Sequence, residues 1–127
     1  GGGSGMVPLM AMMRHHARLA NTTPMRFVYS ARTLDDVIRL DELRTLADSD
    51  HRDVTVTLTR ESSTRWTGHR GHVASQMLGE VGWPPRAHPR CYVCGPSPFV
   101  EAVSAALVSL GHEAALVRTE RFGSTGG

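Results

Sequence analysis

Gly1-Gly2-Gly3-Ser4-Gly5-Met6-Val7-Pro8 is the stretch from which the rest of the chain is read. Glycines at this density leave backbone N–H groups bare. A helix that starts directly after them points its positive dipole end the same way, and this is how a chain receives a phosphate. Pro8 suits the first turn of such a helix, where a missing N–H costs nothing. Leu9, Met13, Ala17 and Ala20 then recur at helical spacing, with Met12 and Leu19 widening the stripe and Arg14, His15 and Arg18 on the polar face. Residues 8–20 are predicted to form an amphipathic helix. A phosphate loop of this kind normally follows a buried strand, whereas this one stands at residue 1. Residues 1–5 also fit a flexible linker, as do residues 123–127.

Outward from the loop, strand and helix signals alternate. After a turn at residues 21–24, Arg26-Phe27-Val28-Tyr29-Ser30 is a β-rich run. Thr33 followed by Asp36 has the capping-box spacing and predicts a helix carried by Val37, Leu40, Leu43 and Leu46 to about Ala47. Val54-Thr55-Val56-Thr57-Leu58-Thr59 alternates as a strand, residues 60–71 form a polar loop, and residues 72–79 a short helix with Val73 and Met77 inward. Cys91-Tyr92-Val93-Cys94 is a further strand, stopping at Gly95-Pro96. Ser97 as N-cap, Pro98 at the first helical position, and the stripe Phe99, Val103, Ala106, Leu107 and Leu110 predict a helix ending at Gly111. A last strand spans residues 115–119. Strict alternation implies right-handed crossovers and a parallel sheet, so the expected fold class is α/β, a Rossmann-like three-layer αβα arrangement. Ligands of such sheets lie at the carboxyl ends of the strands.

Composition bounds the function classes. The 127 residues are 40% hydrophobic and 20% charged, with a formal net charge of +2, which describes one ordinary globular domain. No lysine is present, so arginine supplies all the positive charge. The basic residues are scattered rather than gathered in a stripe with aromatics, which argues against a nucleic-acid partner. No apolar run approaches the ~18 residues of a membrane span, and no signal-peptide pattern is present. The expected location is cytoplasmic.

Three strand ends, Ser30-Ala31-Arg32, Thr59-Arg60-Glu61 and Cys94-Gly95-Pro96, carry distinctive residues beside the glycine loop. Gly3-Ser4-Gly5 opens like a dinucleotide fingerprint, but Pro8 replaces the third glycine, and no G-K-[ST] follows, against a nucleoside-triphosphate loop. Ser30-Ala31-Arg32 lies where a dinucleotide fold reads the adenosine ribose. A serine and an arginine there suit a 2′-phosphate rather than a free hydroxyl, and Arg60, ending the following strand, lies beside the same place. Cys94-Gly95-Pro96 ends the later strand. The Cys91–Cys94 spacing matches redox and zinc motifs, but alternation sends positions i and i+3 to opposite faces, so no metal site is expected from this pair, even with His69 and His72 as further ligands on paper.

Gly2-Gly3-Ser4-Gly5-Met6-Val7-Pro8, Tyr29-Ser30-Ala31-Arg32, Cys94-Gly95-Pro96 with Phe99, and Glu120-Arg121-Phe122-Gly123 together resemble the nucleotide-binding domain of ferredoxin–NADP reductase-like flavoenzymes, across essentially the whole chain. The resemblance implies an NAD(P)H-dependent oxidoreductase that passes hydride between a nicotinamide dinucleotide and a flavin. It implies NADP, or NAD, as the cofactor of this domain, and FAD or FMN held by a separate N-terminal barrel of the same polypeptide. An electron-transfer protein or module would be a further partner. Carried over by motif, Gly3, Ser4, Gly5 and Pro8 face the pyrophosphate and nicotinamide side. Cys94 sits near the hydride-transfer site with Gly95 and Pro96 shaping its wall, Ser30 and Arg32 read the 2′-phosphate, and Glu120 and Phe122 lie by the flavin. The 127 residues contain neither the barrel nor a four-cysteine cluster motif. The first strand of the nucleotide domain is also missing from them, and a sheet lacking its central strand should be poorly stable alone. The alternative is a non-redox module for an adenosyl ligand such as S-adenosylmethionine. Cys94-Gly95-Pro96 at a strand end separates the two, because hydride transfer explains it and simple binding does not.

Overall fold

The computed structural model describes residues 1–20 and 22–122. Asn21 of the predicted turn, Gly123 of the last motif and the glycine-rich end lie outside the described residues. Among those described, the order is a 3-10 turn at Gly3–Gly5, α1 (Met6–Arg18), β1 (Met25–Ala31), α2 (Leu40–Ala47), β2 (Arg52–Leu58), β3 (His69–Arg70), α3 (Ser75–Val81), β4 (Cys91–Gly95), α4 (Ser97–Ser109) and β5 (Val117–Arg121). All strand pairs are parallel, as alternation predicts.

The strands form two groups, β1-β2-β3 and β4-β5. Among the described residues, the chain's first residues bridge them in the sheet plane. Gly2 makes a parallel bridge to Ser30 and donates its N–H to the Cys94 carbonyl (2.9 Å), while Ser30 donates to the Gly1 carbonyl (2.9 Å). The implied order is β3-β2-β1-(Gly1, Gly2)-β4-β5, one doubly wound sheet whose centre is represented by two glycines.

Each face of this sheet has its own core. On one, α1 and α2 bury Met6, Met10, Met13 and Leu43 against Phe27, Tyr29 and Leu58. On the other, α3 and α4 bury Leu78, Val100, Val103 and Leu107 against Val73 and Val93. Alternation along each strand assigns the faces: Phe27, Tyr29 and Ala31 go to the first cluster and Val28 to the second. Cys94 likewise lies in the first and Cys91 against the second, so the two thiols diverge as the strand period requires. Arg14 reaches from α1 to Glu42 of α2 with Nη2–Oε2 at 2.9 Å and a second, shorter contact through Nε.

Several boundaries differ from expectation. The first helix begins two residues before Pro8 and ends at Arg18. The helix predicted from Thr33 is broken: Thr33 and Asp36 do form the capping contact, but they cap only a 3-10 turn, Leu34–Asp36. The next residues are pulled away because the Ile38 N–H donates to the Tyr29 hydroxyl (3.2 Å) instead of an upstream carbonyl, and Arg39 adopts φ +55°. The regular helix restarts at Leu40. Pro96, not Ser97, is the N-cap of α4, which puts Pro98 at the second helical position. Residues 115 and 116 of the last predicted strand belong instead to a 3-10 turn, Ala114–Leu116.

Candidate functional site

The loop and the strand end after β4 meet backbone to backbone. Gly5 N–H donates to the Gly2 carbonyl (2.9 Å), closing the 3-10 turn. A Cβ at Gly5 would lie 2.2 Å from the Cys94 carbonyl oxygen and 2.5 Å from the Gly95 nitrogen, so only glycine lets the loop touch this peptide. A Cβ at Gly2 would enter the Phe99 ring at 2.7 Å, and one at Gly95 would come within 2.9 Å of the same ring. Phe99, in the first turn of α4, therefore backs both motifs. Above them the loop is open. Gly3 takes φ +52° with nothing within 4 Å of a Cβ, and Gly3 and Ser4 are exposed. Bare backbone, left-handed geometry and the start of a 13-residue helix suit a diphosphate. Pro8, half-buried, stands in the first turn of α1.

Cys94 is buried at 6% exposure. Burial, and secondarily the nearby Glu120 charge, push its thiol up, with the Gly1 amino group opposing. Burial also pushes Cys91 up. At neutral pH both are neutral thiols, so Cys94 can shape and polarise a surface but is no ready nucleophile. Glu120 is the register partner of Cys94 across the β4–β5 ladder and is exposed. Phe122 donates its N–H to the Gly95 carbonyl (2.9 Å) and leans on the first core cluster. Cys94, Gly95, Pro96, Glu120 and Phe122 thus form one rim with the glycine loop.

The residues read as a phosphate pocket separate into two kinds. The β1–β2 ladder continues past the strand ends through Thr59 N–H to the Ala31 carbonyl (2.9 Å) and Arg60 N–H to the Arg32 carbonyl (2.8 Å). Arg32 and Arg60 are therefore neighbours, and both are exposed. Ser30 is not beside them: it is 9% exposed, one of the strand residues that hold Gly1. Glu61 fixes the arginine loops. Its Oε2 accepts the Leu34 N–H (2.7 Å) and its Oε1 the Ser63 N–H (3.2 Å), and the Leu34 bond holds its carboxyl below the usual range. The sequence assigns Glu61 no role, since a carboxylate bonded to a backbone N–H 27 positions away leaves no local pattern.

The polar loop over residues 60–71 fastens to itself. Arg70 donates to the carbonyls of Glu61, Ser63 (2.6 Å) and Trp66 (2.5 Å), and the Trp66 indole N–H donates to the His69 carbonyl (2.7 Å). Among the described residues no group of His, Cys, Asp and Glu is arranged to hold a metal ion, and no helix is long and apolar enough to cross a membrane.

A parallel three-layer α/β fold with a glycine loop entering a helix at its strand ends defines a nucleotide-binding domain. The family model described as "Oxidoreductase NAD-binding domain" matches residues 1–105, and the chain belongs to that family. It is 35% identical over 98% of its length to a glycine betaine monooxygenase reductase subunit of Chromohalobacter salexigens, covering 34% of that protein. It is 32% identical over 83% of its length to the reductase component of propane 2-monooxygenase of Gordonia sp., covering 31% of it. Among solved structures, the cytochrome b5 reductase domain of Ulva prolifera nitrate reductase superposes with a TM-score of 0.83 at 25% identity, over 94% of this chain and 46% of that one. The chain thus spans about a third of the length of the curated relatives it matches.

Proposed function

We propose that this domain is the dinucleotide-holding half of a flavin-dependent reductase, presenting NAD(P)H to a flavin carried by another domain of the same polypeptide. The observation that carries the reading is the contact of Gly5 with the Cys94–Gly95 peptide. It merges the phosphate loop and the Cys-Gly-Pro strand end into one continuous surface, as a ligand with a diphosphate at one end and a reacting ring at the other requires. Both sequence relatives described above are named as reductases.

The bound dinucleotide supplies the hydride; the protein supplies position. Backbone N–H groups of Gly3 and Ser4, on the open side of the turn, and the α1 dipole neutralise the diphosphate. Arg32 and Arg60, two exposed guanidiniums on adjacent strand ends, hold a 2′-phosphate, which favours NADPH. Ser30 serves through its backbone, bonded to Gly1. Cys94, neutral and fixed in the core, forms the wall against the reacting ring with Gly95 and Pro96, while Glu120 and Phe122 border it on the flavin side.

The test uses the flavin-carrying enzyme in single-turnover reduction by NADPH. Cys94→Ala is expected to lower the hydride-transfer rate with flavin content intact. An unchanged rate takes Cys94 out of the site.

A further inference from the structure

Arg32 and Arg60 stand just beyond the ends of β1 and β2, and among the described residues neither guanidinium has an ion-pair or hydrogen-bond partner. Two unpartnered like charges on exposed, flexible side chains repel each other. How they are held depends on the two loops that carry them. The backbone ladder between those loops ends with the Arg60 N–H on the Arg32 carbonyl (2.8 Å). Beyond it, among the described residues, the tie between the loops is a side chain. Glu61 takes the Leu34 N–H on Oε2 (2.7 Å) and the Ser63 N–H of its own loop on Oε1 (3.2 Å).

Each loop is fastened internally on its side of that carboxylate. Leu34 opens the 3-10 turn Leu34–Asp36. Thr33 closes the turn by donating its hydroxyl to Asp36 (2.9 Å), and the Tyr29 hydroxyl holds the Ile38 N–H after it (3.2 Å). On the other side, Ser63 Oγ accepts the Arg65 N–H (3.1 Å) and Nε–H (3.3 Å), and Arg70 holds the Glu61 and Ser63 carbonyls. Two stiffened loops thus meet at one carboxylate, whose reach and charge set how they sit against each other.

Charge alone gives Glu61 the wrong sign for an anion site, because a carboxylate near a phosphate opposes it. Glu61 makes no ion pair with Arg32 or Arg60 among the described residues. The Leu34 N–H foremost, then the Ser63 N–H and the charges of Arg65 and Arg70, hold its carboxyl below the usual carboxylate range. Its charge is answered by these groups, and the guanidiniums at 32 and 60 stay free for an anion.

We propose that Glu61 is a positioning residue for dinucleotide selectivity: by joining the loops after β1 and β2 it fixes the separation of the Arg32 and Arg60 guanidiniums, and so sets the discrimination for a 2′-phosphate through the loops rather than on the ligand. The inference rests on the reading of Arg32 and Arg60 as the holders of that phosphate.

The test uses the flavin-carrying enzyme and calorimetric titration with the oxidised dinucleotides, with and without a 2′-phosphate. Glu61→Gln keeps the shape and removes the charge. Glu61→Asp keeps the charge and is one methylene too short to span both N–H groups. Each is expected to weaken the 2′-phosphorylated dinucleotide by ~5-fold or more, the worth of one hydrogen bond, and the unphosphorylated one by less than about twofold. A merely structural role would weaken both alike, and a merely electrostatic one would tighten the phosphorylated dinucleotide in Glu61→Gln and leave Glu61→Asp as the parent. Any of these results overturns the proposal. Arg32→Ala, titrated alongside, tells two failures apart. Selective loss there without selective loss at Glu61 overturns this inference and leaves the 2′-phosphate reading standing, whereas no selective loss at Arg32 overturns both.

Discussion

Gly5→Ala isolates the contact on which the site depends. Gly5 has φ −62° and ψ −13°, ordinary helical values, so backbone propensity alone makes the change neutral or slightly stabilising. The surroundings decide otherwise. The new Cβ would stand 2.2 Å from the Cys94 carbonyl oxygen, 2.4 Å from its carbon and 2.5 Å from the Gly95 nitrogen. All three are backbone atoms of a paired strand and cannot rotate aside. Relief to ordinary contact needs a retreat of roughly 1 Å by the loop, which pulls on the 2.9 Å bond from Gly2 to Cys94. Overpacking costs about 1–3 kcal/mol, and losing the bond adds about 1, so the expected destabilisation is ~2–4 kcal/mol together with weaker dinucleotide binding. Gly3→Ala is the control. Gly3 sits at φ +52° with open space around it, so alanine there costs only the left-handed penalty of about 1–2 kcal/mol. The order is the reverse of what dihedrals predict. Urea midpoints with parallel NADPH titrations of both variants in the flavin-carrying enzyme read it. A Gly5→Ala variant as stable as the parent, or more stable than Gly3→Ala, would refute the contact.

Other outcomes follow from the same geometry. Arg32→Ala and Arg60→Ala are each expected to weaken NADPH by about tenfold or more, the worth of a charge-assisted hydrogen bond, while NADH is little changed; equal losses for both dinucleotides would count against the 2′-phosphate assignment. Burial lowers the Gly1 amino group from 8.0 to about 5, so the folded chain binds fewer protons than the unfolded chain between those values. Stability of the 127-residue chain is then expected to rise with pH across that window, by on the order of 4 kcal/mol. Glu42 and Glu61, whose carboxyls are held low by Arg14 and by the Leu34 N–H, lose their contributions only as pH falls below about 4.5, outside it. Amino-terminal acetylation should flatten the profile, and equal slopes with and without it would show the amine to be exposed. A neutral thiol-reactive probe at pH 7 is expected to label the native protein slowly, Cys94 slower than half-buried Cys91; rapid labelling of Cys94 would contradict its burial.

Much of this was legible in the sequence because its signals are local. Alternation of periods placed each main helix and strand, and the Cys91–Cys94 spacing was enough to send the thiols to opposite faces. The break after Asp36 was not legible, because its cause, the Tyr29 hydroxyl taking the Ile38 N–H, is a tertiary bond. The same holds for Arg26, whose guanidinium stacks 3.8 Å over Trp83 and donates to the Gly82 carbonyl (2.7 Å), tying β1 to the far half of the sheet. At the site, the motifs were visible as separate islands. Their joining was not, since a clash between a Cβ and a backbone 89 positions away leaves no trace in residue type beyond glycine itself. Ser30 shows the opposite failing: it sits beside Arg32 in sequence, yet the strand turns it inward.

The most direct test of the account is a calorimetric titration of the oxidised dinucleotides with and without a 2′-phosphate, and of S-adenosylmethionine, against the flavin-carrying enzyme. The account expects saturable binding of both dinucleotides, the 2′-phosphorylated one tighter, weakened by Gly5→Ala and by Arg32→Ala, with no binding of S-adenosylmethionine. A folded chain that ignores both dinucleotides, or that binds them equally well with alanine at position 5, would contradict it.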